Sequence, residues 1–343
     1  MLNPKHILVI RLSAMGDVAM TVPVLRVVAK TYPEVKLTVL SRGQYKPLFK
    51  DLQNLQFLEA DVYGKHRGLR LLKLAIEAKE LGIDSVADLH NVIRSKILTN
   101  YLKLNRIKVA VLDKGRAQKK AITRPLNKEF HQLKSTHQRY ADVFAALGLP
   151  IDLKEHRFPE RSKLNPRLNA FIGVEPKKLI GIAPFAAFKS KTYPLNLMKE
   201  VIAALNATGK FRIFLFGGGK KEVEILKDLE KPFSSVSSIA GTLPFEEELA
   251  LISNLDLMLS MDSGNGHLSA MYGIPTVTLW GVTHPYAGFA PFMQPEENAL
   301  LADRTLFPLI PTSVYGNKFP KGYEKAIASI SPKTIFRKIL EIV

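Results

Sequence analysis

The chain contains no cysteine, which excludes disulfides and thiolate metal sites. Long apolar runs are missing too. Nothing reaches the roughly 18 residues of a membrane-spanning helix. The opening MLNPKHILVIRL holds an apolar stretch that reads as a strand rather than a secretory leader. A cytoplasmic protein is the expectation. Several nucleotide and hydrolase signatures are absent: no G-x-G-x-x-G follows the first strand, no G-x-x-x-x-G-K-[ST] occurs, and no G-x-S-x-G occurs. FGGGKKEVE (Phe216–Glu224) has glycines and lysines at the wrong spacing for a phosphate-binding loop. The eight histidines form no H-E-x-x-H pattern, so no metal site is expected and no resident cofactor either.

Acid is scarce relative to base. The net charge is +18 over 343 residues, and it is uneven. Residues 1–150 carry 26 Lys and Arg against 12 Asp and Glu, whereas 151–343 carry 23 against 19. The run 114–139 alone has eight bases and one acid. Its candidate partners are nucleic acid, an anionic membrane face or a phosphorylated substrate, and a solvated basic loop has the same composition.

What is present is alternation of strand and helix. Short apolar segments at His6–Arg11, Lys36–Leu40, Gln56–Leu58, Ser85–Leu89 and Lys108–Leu112 read as parallel strands buried on both faces. Helical patterns at Val18–Thr31, Leu69–Leu81, Val92–Leu102 and Thr136–Leu147 separate or follow them. A proline- and charge-rich stretch breaks the rhythm before it resumes with strands at Leu179–Ala183, Arg212–Phe216, Leu257–Ser260 and Thr276–Leu279. The expected domains are 1–160, a linker over 161–178, a second domain over 179–330, and a final helix, 331–343, returning to the first domain. The fold class is α/β: two Rossmann-like, doubly wound domains facing across a cleft.

Three strand-to-helix turns carry candidate chemistry. Ser13-Ala14-Met15-Gly16-Asp17 follows the first strand. Asp17 would complement a helix dipole, or serve as a general base at a strand end. Gly16 permits close approach of another molecule. A carboxylate there repels a diphosphate and suits a hydroxyl-bearing partner. Asp262-Ser263-Gly264-Asn265-Gly266-His267 opens a helix whose amides could hold a diphosphate, while Asp262 or Ser263 could be its cap. Lys189 and Lys191 stand in the loop after the first strand of the second half.

In this order and spacing the motifs resemble the heptosyltransferase-type glycosyltransferases of glycosyltransferase family 9. Ser13–Asp17 with Pro23, Asp88-Leu89 with Arg94-Ser95, Lys191-Thr192-Tyr193-Pro194, and Asp262-Ser263-Gly264 with His267-Leu268 and Gly273–Thr276 carry the resemblance. It implies a glycosyltransferase-B fold, an acceptor-binding N-terminal half and a C-terminal half that binds ADP-heptose. The implied reaction is inverting and metal-independent, on a lipopolysaccharide core acceptor. Asp17 would be the base and Lys191 would stabilise the departing diphosphate. Glu222 would bind the ribose, Asp262 the donor sugar, and the amides around Ser263, Gly264 and His267 the diphosphate. Ser13, Met15, Gly16, Arg94, Lys119 and Lys120 are the acceptor-side candidates. The implied partners are a nucleotide sugar, an anionic glycolipid and the inner-leaflet surface, with no nucleic acid and a monomeric chain. Phe185, Tyr193, Val282, His284 and the pair Asn265-Gly266 depart from the family pattern. They leave another nucleotide sugar or acceptor open. Outside this class stand an epimerase acting on a nucleotide sugar and a non-catalytic nucleic-acid-binding protein.

Overall fold

The computed structural model describes residues 4–343, and the chain divides into two compact units, each built on its own parallel sheet. The first unit runs to Arg116 and resumes over Lys134–Pro159. The second takes Ala117–Leu133 and Glu160–Val343.

In the first unit, β1 (His6–Ile10), β2 (Lys36–Ser41), β3 (Leu55–Glu59), β4 (Ser85–Asp88) and β5 (Lys108–Val111) pair in the order β3-β2-β1-β4-β5. The register sets Ile7 opposite Leu37 on one side and Ser85 on the other. Every residue of β1 is buried, as expected for a central strand covered on both faces. Leu8, Ile10 and Val86 pack against Leu71, Leu74, Leu98 and Leu102 from the helices Leu71–Glu80 and Ile93–Leu104.

In the second unit, β6 (Lys178–Ala183), β7 (Phe211–Leu215), β8 (Val236–Ser238), β9 (Leu257–Met261), β10 (Thr276–Trp280) and β11 (Ala299–Leu301) pair in the order β11-β10-β9-β6-β7-β8. Its core joins Ile180, Ile182 and Leu259 to Met198, Val201 and Leu205 of the helix Leu195–Ala207. In both sheets the chain starts centrally, winds one way and then returns to the other side. The switch point lies between β1 and β4 in the first sheet and between β6 and β9 in the second. Such switch points are where open α/β sheets bind ligands.

Four details depart from the sequence reading. The first helical pattern starts earlier and is two helices, Met15–Ala19 and Thr21–Thr31, so Asp17 lies inside a first turn. The stretch read as a linker holds the helix Pro166–Ile172. Asn165 caps it by accepting from Leu168 N at 2.8 Å, and proline occupies the first turn. The basic run contains the helix Arg116–Thr123, and most of that run up to Leu133 belongs to the second unit. Finally, Pro332–Ile342 packs on Leu195–Ala207 in its own unit, where the expectation placed it on the first domain. The reason is apolar spacing. Ile335 and Ile339, one turn apart, are fully buried in the second core, worth about 1.5–3 kcal/mol each.

Candidate active site

At the first switch point the end of β1 places Arg11 under the turn that carries Asp17. The Arg11 guanidinium lies 2.5 Å from Asp17 Oδ2 and donates to Leu89 O at 2.7 Å. Arg11 is 8% exposed and Asp17 is 29% exposed, so the cation is the buried partner and the carboxylate faces outward. Asp17 Oδ2 also accepts from Ala14 N at 3.2 Å, the back-bond of a third helical residue to its cap position. Burial opposes the charge on Arg11, but Tyr140, Asp17 and Asp88 outweigh it and hold the guanidinium above its ordinary range. Tyr140, fully buried, has its ring 5.9 Å from that guanidinium and donates to Asp17 O at 3.4 Å.

The end of β4 completes this cluster. Asp88 is wholly buried and its Oδ1 accepts from His90 N and Asn91 N at 2.9 and 2.8 Å. Its Oδ2 has no hydrogen-bond partner among the described residues. His90 Nε2 lies 3.5 Å from Ser13 Oγ. Burial first, then Arg11 and Lys114, push His90 down to about 3, so it is neutral at pH 7. Lys114 is held below its usual range by burial, Arg11 and Arg116, against the pull of Asp17 and Asp88.

At the second switch point, Lys191 leaves β6 in the short turn Lys189–Lys191 and pairs with Asp262 at the end of β9. Lys191 Nζ lies 3.1 Å from Asp262 Oδ2, with the side chains 12% and 10% exposed. The same oxygen accepts from Thr283 Oγ1 at 2.8 Å. Asp262 therefore does not cap the helix Gly264–Ala270. Ser263 holds the cap position without a side-chain cap bond. Two glycines make room for the lysine turn. A Cβ on Gly281 would sit 2.2 Å from Ser190 O, and one on Gly316 would sit 2.7 Å from Lys191 Cγ. Ser190 Oγ donates to Gly316 O at 2.5 Å, which ties the turn to the 313–317 loop. Tyr193 is fully buried and donates to Ile330 O at 2.6 Å. Glu222, in the first turn after β7, accepts from Gly218 N at 2.8 Å through Oε2.

The named residues thus fall into two groups. Ser13, Met15, Gly16 and Asp17 share the turn after β1, and Arg94 lies near enough to help depress His90. Arg94 is itself exposed, its guanidinium 5.3 Å from the Tyr63 ring. Lys191, Asp262, Ser263, Gly264 and His267 share the second switch point, with Glu222 on the next loop. Lys119 belongs to the second unit and the Asp17 group to the first. It is buried in the second unit with Nζ 4.1 Å from the Phe289 ring, so it adds nothing to an exposed basic surface, whereas Lys120 is exposed. Arg11, Asp88, His90, Lys114, Tyr140 and Thr283 were not assigned roles from the sequence. Arg11 had a signal: a charge closing an all-apolar central strand needs a buried partner.

Two Rossmann-like units of this topology fit the glycosyltransferase-B-like fold. The profile of glycosyltransferase family 9 (heptosyltransferase) matches residues 71–305, and the chain belongs to that family. It is 25% identical over 301 residues to lipopolysaccharide heptosyltransferase 1 of Campylobacter coli, covering 82% of this chain and 85% of that one. The solved family 9 glycosyl transferase of Veillonella parvula superposes with a TM-score of 0.75 at 19% identity, covering 100% and 98% of the two chains. E. coli heptosyltransferase WaaC, solved with ADP, gives a TM-score of 0.66 at 16% identity, covering 98% and 100%.

Proposed function

We propose that this enzyme transfers a heptose from ADP-heptose to a hydroxyl of a lipopolysaccharide core acceptor, with inversion at the anomeric carbon and without a metal ion. The observation that carries the reading is Asp17: an outward-facing carboxylate at the end of a central strand, fixed from behind by a buried arginine. The solved E. coli relative with ADP supports adenosine diphosphate as the leaving group.

In this reading the Asp17 carboxylate takes the proton from the acceptor hydroxyl as its oxygen bonds to the anomeric carbon. The bond from that carbon to the diphosphate oxygen breaks, and the electron pair leaves with ADP. Attack opposite the leaving group inverts the centre. Lys191 exchanges its ion pair with Asp262 for the diphosphate, and the amides of Ser263, Gly264 and His267 share the developing charge. Asp262, still held by Thr283, accepts from donor sugar hydroxyls, and Glu222 from the ribose. Arg11 is a positioning residue: it fixes the carboxylate without touching substrate. Ser13, Met15, Gly16 and Arg94 line the acceptor side. The basic surface of the first unit, and separately the exposed Lys120 of the second, draw the enzyme to anionic lipid, and that binding weakens as salt rises.

The test is turnover of ADP-heptose with a lipopolysaccharide core acceptor, following free ADP, product anomer and sensitivity to a chelator. The expected result is stoichiometric ADP, an inverted product and no loss in chelator. A clear preference for a uridine or guanosine sugar would overturn the donor assignment. Retention or chelator sensitivity would overturn the mechanism.

A further inference from the structure

The second unit contains a cavity of about 430 Å³ that none of Asp17, Lys191, Glu222 or Asp262 lines. That size is within the usual range of small-molecule sites, roughly 300–1,000 Å³. Its floor is one face of β10, where alternate residues point the same way. Thr276 Oγ1 is satisfied there by Ser269 Oγ and Ile274 O, at 2.9 and 2.8 Å. The next two positions are not satisfied. Thr278 Oγ1 and Trp280 Nε1 are buried and have no hydrogen-bond partner among the described residues. Ser260, opposite Thr278 in the register, has an unpartnered Oγ as well. Buried polar atoms without partners are uncommon and costly, and the two on Thr278 and Trp280, both residues of the cavity floor, need an account.

The walls are built and pinned. Phe130 comes from the 117–133 segment. Lys128 Nζ fastens that segment by donating to the carbonyls of Leu309 and Pro311, and Leu133 N donates to Tyr286 O at 2.9 Å. Phe130 stacks on Tyr286 with centroids 5.2 Å apart and meets His284 edge-on at 5.0 Å. Arg304 holds its guanidinium 3.8 Å from the Phe130 centroid while Nε donates to Ile310 O at 3.1 Å. His284 Nδ1 accepts from Tyr286 N at 3.2 Å, which places the ring proton on Nε2. Arg304 brings a guanidinium to the lining between aromatic rings, and the side-chain amides of Gln132, Gln294 and Asn298 line it too, while the Trp280 indole N–H and the Thr278 hydroxyl are buried in its floor. Glu296, exposed, is the only acid in the lining.

We propose that this cavity is a second ligand site, for a sugar ring carrying an anionic group. Arg304 is the one arginine or lysine of the lining, and its charge selects an anion. Phe130 is already engaged by Arg304 and Tyr286, so the site favours a hydroxyl-bearing ring over a stacked base. Occupancy reaches the donor-side acid through one residue: His284 is next to Thr283, which holds Asp262. The site stands whether or not the transfer reading does, because its test reads binding and not turnover.

Trp280 is the only tryptophan of the chain, so its indole N–H resonance and fluorescence report on this cavity alone. The full chain is titrated with glucuronate, glucose 6-phosphate and neutral glucose. The expected result is a saturable indole shift with one or both anions, with glucose binding about tenfold more weakly, the worth of one charge-assisted hydrogen bond. A response to glucuronate alone assigns a sugar acid, and a response to the phosphate alone assigns a sugar phosphate. Arg304→Gln should weaken the anions about tenfold and leave glucose unchanged. Thr278→Val, nearly isosteric, should weaken all probes that bind and serves where the arginine variant loses its fold. No saturable shift with either anion, or anion binding unaffected by both substitutions, overturns the proposal.

Discussion

Each unit places an acid and a cation at the switch point of its sheet, yet the two pairs are arranged differently. In the first, Arg11 is buried and Asp17 is the more exposed partner, at 8% and 29%. In the second, Lys191 and Asp262 share one depth, at 12% and 10%, and Thr283 completes the acid. On the proposed reading the two pairs would serve two chemistries. A carboxylate backed by a fixed guanidinium presents a proton acceptor that cannot swing away. A lysine paired with an acid of equal burial is a cation that can exchange its partner for a phosphate, since an ammonium is a rotatable point charge and a guanidinium is a rigid fork.

The largest effect that would break this contrast is on Asp17. Asp17→Asn keeps an oxygen for Arg11 but removes the basic site, so transfer should fall about 100- to 10,000-fold with the melting temperature little changed. Near-normal turnover would remove Asp17 from the mechanism. Lys191→Met should cost about 100- to 1,000-fold in the rate of ADP release, as loss of one preorganised charge-stabilising group does. Arg11→Met should slow transfer less than Asp17→Asn and leave donor affinity unaltered, with partial recovery in Arg11→Lys. Equal loss in both arginine variants would mean that Arg11 serves the fold alone.

Gly281→Ala sharpens the second half of the comparison. The added methyl meets Ser190 O at 2.2 Å, so the Lys189–Lys191 turn must shift. A stability loss of about 1–3 kcal/mol and weaker nucleotide binding are expected, read by thermal denaturation and calorimetry. Wild-type values in both would show that the turn is not pinned there.

The smallest effect is the response to acid. His90 at about 3 and His156 at about 4, both lowered chiefly by burial, belong to the first unit. Their folded values lie below the ordinary 6.5, so the unfolded chain binds more protons between those values and stability falls as pH drops below about 6.5. Each contributes a slope of up to about 1.4 kcal/mol per pH unit in that window. The second unit has His284 at about 4, lowered by burial, Arg304 and Lys128, but also Glu248, which burial raises to about 7. A raised carboxyl has the opposite sign: its cost grows as pH rises from about 4.5 to 7 and is relieved in acid. Hydrogen exchange at pH 5 should therefore show the first unit opening before the second. The reverse order would contradict these assignments.

Most of the sheet architecture was legible because parallel strands buried on both faces leave uninterrupted apolar runs. β8 and β11 were not, since three residues each carry too little pattern. Asp17, Lys191 and Asp262 stand out as candidates in the sequence because each follows a central strand through a short turn. Arg11, Thr283 and Gly316 do not, because their roles depend on contacts across long sequence separations. The basic segment around Lys119 misled for a related reason. Composition suggested one charged surface, but Lys119 and Lys128 turn inward, over a ring and onto backbone carbonyls.

The most direct test of the division of labour is equilibrium binding of ADP-heptose to Asp17→Asn and Lys191→Met, measured side by side by calorimetry. Wild-type affinity is expected in the first and a loss of about tenfold or more in the second, one charged hydrogen bond to the diphosphate. Weakened donor binding in Asp17→Asn with unchanged binding in Lys191→Met would contradict that division.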